Sequence, residues 1–127
     1  MNSQPDAELL LRVTMLRPLG EQVCAALATE YRKLGFAAEH PLDVDFDALV
    51  FALKRDPYSQ QDSVEGTWLD RQRQRLGSLV IHADGSFFAE YDVVKLHPAK
   101  PHWFVEAVTA WGKGDEVKSE ARLLPAV

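Results

Sequence analysis

Cysteine occurs once in the 127 residues, at Cys24, which excludes an intrachain disulfide and any zinc site built from cysteines. Long apolar runs are missing too: the best candidate, Leu9–Leu16, is too short to span a bilayer and is interrupted by Arg12. Asp6 and Glu8 precede that first basic residue, the reverse of the charge order in a secretory leader, so a cytoplasmic protein with no membrane partner is expected. Positive charge is in deficit, with 14 Lys+Arg against 19 Asp+Glu and a net charge of -5. That balance argues against a binder of duplex nucleic acid. No Walker-type phosphate loop, Gly-x-Gly-x-x-Gly, nucleophile elbow or His-Glu-x-x-His occurs, and no repeat or low-complexity tract appears. No cofactor and no metal site are therefore expected. What remains is ordinary globular composition, 46% hydrophobic and 26% charged, consistent with one soluble domain over 1–127.

Helical spacing is clearest after Pro18. Leu19, Val23, Leu27, Tyr31 and Leu34 draw one apolar stripe, Arg32 and Lys33 suit the negative end of the dipole, and Gly35 suits a left-handed C-cap. Upstream, residues 8–17 fit both periods: Leu9, Leu11, Val13 and Met15 alternate, yet Leu9, Val13 and Leu16 also share a helical face. Helix is preferred, with Pro18 forcing a break or kink. Residues 45–54 are equally two-sided. Phe46, Leu49, Val50 and Leu53 suit a helix, and the run Leu49–Leu53 suits a buried strand as runner-up.

From Val64 onward a β-meander is expected over 64–94, turned at the polar run Arg71–Arg75 and at the hairpin signal Asp84-Gly85. Pro101 is read as opening a helix over 101–112, with Phe104, Ala107, Val108 and Trp111 inside, followed by a half-buried strand over 116–124. The whole reads as α+β, with N-terminal helices packed on a mainly antiparallel sheet.

A two-residue turn at Asp84-Gly85 would pair Ile81 with Phe88, Leu79 with Glu90 and Gly77 with Asp92. Val80, His82, Phe87, Ala89 and Tyr91 would then share the core face, and Leu79, Ile81, Phe88, Glu90 and Asp92 the other. Two positions along a strand puts Glu90 and Asp92 roughly 6–7 Å apart, a spacing open to paired-carboxylate chemistry beside apolar neighbours, with room opposite at Gly77. His97, in the loop with His102 and ahead of Glu106, could assist them, although its spacing through two prolines fits no metal motif. Against this stands a plain solvated sheet face whose acids pair with nearby bases.

Arg71, Arg73 and Arg75 would share one side of an extended chain and could hold a small anionic ligand or an acidic partner. Residues 39–47, by contrast, hold four acids and no Lys or Arg, and the two patches could pair within the fold or across a dimer. Leu79, Ile81, Phe88 and Trp103 are the candidate partner surface, needing a second layer or another subunit. Two function classes follow: a protein-interaction or ligand-binding module, self-associating as a homodimer, or a small hydrolase- or isomerase-like enzyme working through Glu90 and Asp92. Cys24, among small apolar neighbours on a helix, is expected to be buried and inert.

Overall fold

In the computed structural model, which describes residues 4–36, 42 and 44–126, the chain begins with one uninterrupted helix, α1 (Gln4–Leu34). At 31 residues it runs about 46 Å. Pro18 lies within it and does not break it. Its ring faces solvent, and Val13 and Leu16 before it pack on the same core as Leu19 and Val23 after it, so tertiary burial outweighs one missing backbone donor. The expected stripe is the buried one: Val23, Leu27, Tyr31 and Leu34 all lie in the core. Gly35 ends the helix at φ +92°, its N–H donating to the Arg32 carbonyl at 3.1 Å.

After a single 3-10 turn (Phe46–Ala48) come six strands: β1 (Val50–Arg55), β2 (Asp62–Leu69), β3 (Arg75–Ile81), β4 (Ser86–Leu96), β5 (Trp103–Lys113) and β6 (Glu116–Pro125). They form one antiparallel sheet in sequence order. The α+β class holds, with one N-terminal helix rather than several. Residues 50–55 are a strand, so the runner-up reading of that segment is the observed one. The helix expected over 101–112 is instead β5, whose neighbours β4 and β6 satisfy its backbone on both sides.

Register carries the second correction. The β3–β4 hairpin turns through three residues, not two: the His82 N–H donates to the Ser86 carbonyl at 2.8 Å, and Gly85 takes φ +89° with its N–H on the His82 carbonyl at 3.0 Å. Ile81 therefore pairs with Phe87, Leu79 with Ala89 and Gly77 with Tyr91. A one-residue slip moves every side chain of a strand to the other face. Leu79 and Ile81 accordingly lie in the core under α1, at 1% and 4% exposure, while Val80 joins Phe88 on the outer face. His82 is exposed at the hairpin end rather than packed beside Phe87. Gly77 offers no room for a ligand, because a Cβ there would sit 2.4 Å from the Glu90 carbonyl oxygen and 2.9 Å from the Tyr91 Cα.

The core thus lies between α1 and one face of the sheet, with Trp68 at its floor. The Trp68 indole N–H donates to the Asp45 carbonyl at 2.9 Å, tying the 3-10 turn to β2. Cys24 is buried, and burial chiefly, with the negative charges of Asp45 and Glu21, pushes its thiol pKa up to about 12. No described helix is long and apolar enough to cross a membrane.

Candidate functional site on the open face of the sheet

Residues directly opposite one another in an antiparallel pair share a face, so the register writes out the uncovered side row by row. One row sets Val80, Phe88 and Trp111 side by side, between Glu65 on β2 and Lys118 on β6. The next holds Thr67, Ser78, Glu90, Thr109 and Glu120, and the one after it Asp92, Ala107 and Arg122, which Arg75, paired with Leu69, joins through its side chain. A last row is apolar again, with Leu96, Phe104 and Leu124. Two bands with apolar centres therefore flank a polar one.

Two bulges shape the middle. The β4–β5 register shifts between Asp92 and Lys95, and the β5–β6 register between Val105 and Ala107. Each inserts one extra residue and turns the strand locally. At the second bulge Glu106 reaches the same face as Arg122, whose Nε donates to Glu106 Oε1 at 2.6 Å. At the first, Val94 is held at φ +52°, a conformation a β-branched residue adopts only under strain.

The polar band is a charge network. Arg75 donates to Asp92 Oδ2 at 3.1 Å and to Glu90 Oε1 at 3.3 Å, and Arg122 donates to Glu90 Oε2. Both oxygens of Glu90 are engaged, on a side chain only 19% exposed. Burial is the largest single influence on that carboxyl and would raise its pKa. The hydrogen bonds and charges of Arg122 and Arg75 together outweigh it, and the net direction is down. Asp92 goes the other way. Burial raises it most, Arg75 opposes this, and the charges of Glu90 and Glu106 add to the rise. Three carboxylates share two guanidinium groups, so the network carries one excess negative charge.

The expected site residues separate on inspection. Glu90 and Asp92 do share a face, but Glu90 is an ion-paired anchor. His97 stands five residues beyond Asp92, about 15 Å along the strand, and is buried. Its Nδ1 accepts from the Ala99 and Lys100 N–H groups at 3.0 and 3.1 Å, so it organises the β4–β5 turn. Arg71, Arg73 and Arg75 do not form a fork. Asp70 Oδ1 accepts from the Gln72 and Gln74 N–H groups, curling 70–74 into a turn with Arg73 at φ +62°, and only Arg75 reaches the network. The acids of 39–47 are not its partners among the described residues: Asp47 pairs with Arg17 at 2.5 Å, and Glu39 and Asp43 lie outside those residues. Leu79 and Ile81 leave the partner surface for the core. Phe88 stays on it at 43% exposure, whereas alternation places Trp103, 40% exposed, with Val105 on the opposite face.

Glu106, Trp111 and Arg122 were absent from the expected site. Reading 101–112 as a helix hid the first two, and Arg122 looked like one charge on a wet strand face. The β-branched and aromatic run Trp103-Phe104-Val105 was the available signal for a strand there.

Fold and site together define an α+β chain in which one helix covers a six-stranded antiparallel meander and, among the described residues, no element covers the other face. No family model, curated protein or solved structure matches the chain.

Proposed function

We propose that the protein is an interaction module that docks through the open face of its sheet, and that the occupant this face fits is a second copy of itself. The observation that carries the reading is the order of bands: apolar, charged, apolar. Rotating a copy by a half turn about an axis across the strands brings Phe88 and Trp111 of one protomer against Leu96 and Phe104 of its partner, with Val80 and Leu124 at the margins. An isologous interface requires that kind of self-complementarity.

Size agrees with this. Six strands about 4.8 Å apart and some 26 Å long present roughly 600–700 Å² per copy, near the 800 Å² per partner of a standard interface. The strained Val94 beside the last band supports the same reading, since strain persists where function maintains it. Enzymatic use of Glu90 draws no support from a carboxylate whose two oxygens are both held by arginine.

Light scattering behind size-exclusion chromatography tests the proposal. Over a wide concentration range the chain should approach twice its 14.3 kDa mass. Phe88→Glu and Leu124→Glu, both at exposed positions, should each return it to the monomer with its far-UV spectrum intact. A monomer at every concentration, or a dimer indifferent to both variants, overturns it.

A further inference from the structure

The two halves of α1 face solvent differently. Beyond Pro18 the outward residues are Glu21, Gln22, Arg32 and Lys33, as a surface helix should have. Before it they include Glu8 and Thr14 but also Leu10, Leu11 and Met15, at 60–71% exposure. A helix that is apolar around most of its circumference is normally buried.

Beneath this overhang, between α1 and the ends of β2 and β3, lies a hollow of about 440 Å³. Leu11, Met15, Leu16, Val64 and Ile81 give it an apolar floor, and Arg12, Asp62 and His82 stand at its mouth. A second, polar hollow of about 360 Å³ adjoins it and shares Asp62, His82 and Ala83 as a common wall. Both volumes fall in the range of small-molecule clefts.

Charge decides what can enter. Arg12 bonds Glu8 at 2.9 Å and lies 3.5 Å from Asp62, which itself lies 3.9 Å from Arg55. The charged groups at the mouth answer one another, and an ionic ligand would have to break one of these pairs. The His82 ring has no hydrogen-bond partner among the described residues, and Asp62 offers acceptor oxygens beside it. Both suit an uncharged head that donates and accepts.

We infer that this two-part cleft binds a small uncharged amphiphile, its apolar body against Leu11, Met15, Leu16, Val64 and Ile81 and a hydroxyl- or amide-type head at Asp62 and His82. Met15 lends adaptability, since an unbranched thioether repacks around ligands of different outline. The site lies on the helix side of the sheet and does not depend on docking through the open face.

Titration with phenylnaphthylamine, an uncharged apolar fluorophore, tests it on the full chain. Saturable, blue-shifted emission at one probe per chain is expected. Met15→Glu and Ala83→Glu, both at exposed positions, should each weaken binding by about tenfold or more, while Phe88→Glu leaves it unchanged. Decanol should displace the probe at lower concentration than decanoate or decyltrimethylammonium. Absence of saturable binding, indifference to both groove variants, loss on Phe88→Glu, or equal displacement by the charged amphiphiles overturns the inference.

Discussion

The two faces of the sheet are built from the same strands and obey opposite rules. Under α1, Leu79, Ala89, Val105, Val108 and Ala110 are each no more than 1% exposed. On the far side the central positions are charged, held by Arg75 and Arg122, and apolar side chains are kept to the margins. Ala107 and Thr109 show how thorough that arrangement is. Both lie on the uncovered side, yet they are 0% and 3% exposed, so long neighbouring side chains shield the backbone as a second layer would. Buried apolar area is concentrated on one face, and among the described residues no element covers the other.

Substitutions can break or sharpen this contrast. The largest effect belongs to the covered face: Leu27→Ala, at a side chain with no exposure, should lower the unfolding free energy by about 2–5 kcal/mol in denaturant titrations. A loss near zero would mean that α1 is not the principal lid of the core.

An intermediate effect, opposite in sign, is expected at the first bulge. Val94→Gly removes the strain of a β-branched residue at φ +52°, and after the entropic cost of glycine it should raise stability by about 1 kcal/mol. Destabilisation there would show that the valine's own contacts outweigh its strain.

The smallest effects lie in the charge network and are read by pH. Glu90 has a folded-state pKa below its ordinary value, so its contribution is complete above that value and is lost as pH falls towards the folded one. Asp92 is raised, so the folded protein holds the extra proton between its ordinary and raised values, and its contribution improves as pH falls through that window. The two slopes oppose each other. Asp92→Asn should therefore make acid destabilisation steeper and Glu90→Gln should make it shallower. Each change should stay below about 1 kcal/mol, because the partners are well solvated. Identical acid limbs in wild type and both variants would remove the network from the stability of the fold.

Much of this was legible before any coordinates, and the exceptions have identifiable causes. The strands of the meander, the C-terminal strand and the stripe of α1 follow from hydrophobic period and turn chemistry, because both are local. Register is not local. Asp84-Gly85 marks the hairpin correctly, but whether two or three residues form its loop depends on Gly85 entering the left-handed region, and that one residue decides which face Leu79 and Ile81 occupy. The false helix over 101–112 has a related origin. The bulge at Val105–Ala107 makes the interval from buried Val105 to buried Val108 three residues instead of two, and a strand with that interruption imitates helical spacing. At the site, Glu90 and Asp92 were visible as a pair, but their clamp was not. Arg75 and Arg122 come from strands 47 positions apart in the chain and meet at Glu90 only because β4 lies between β3 and β5–β6.

Ser119 Oγ donates to Glu30 Oε1 at 2.9 Å across 89 residues of chain. The bond joins the helix made first to the strand made last. At synthesis rates of about 5–20 residues per second, α1 leaves the ribosome roughly 4–18 seconds before β6 exists to receive it. Each hairpin of the meander can zip as soon as its second strand emerges. The helix packs on the 3-10 turn and the earlier strands, but its cover is complete only when β5 and β6 are in place. Full closure of the helix onto the sheet therefore waits on the β5–β6 hairpin.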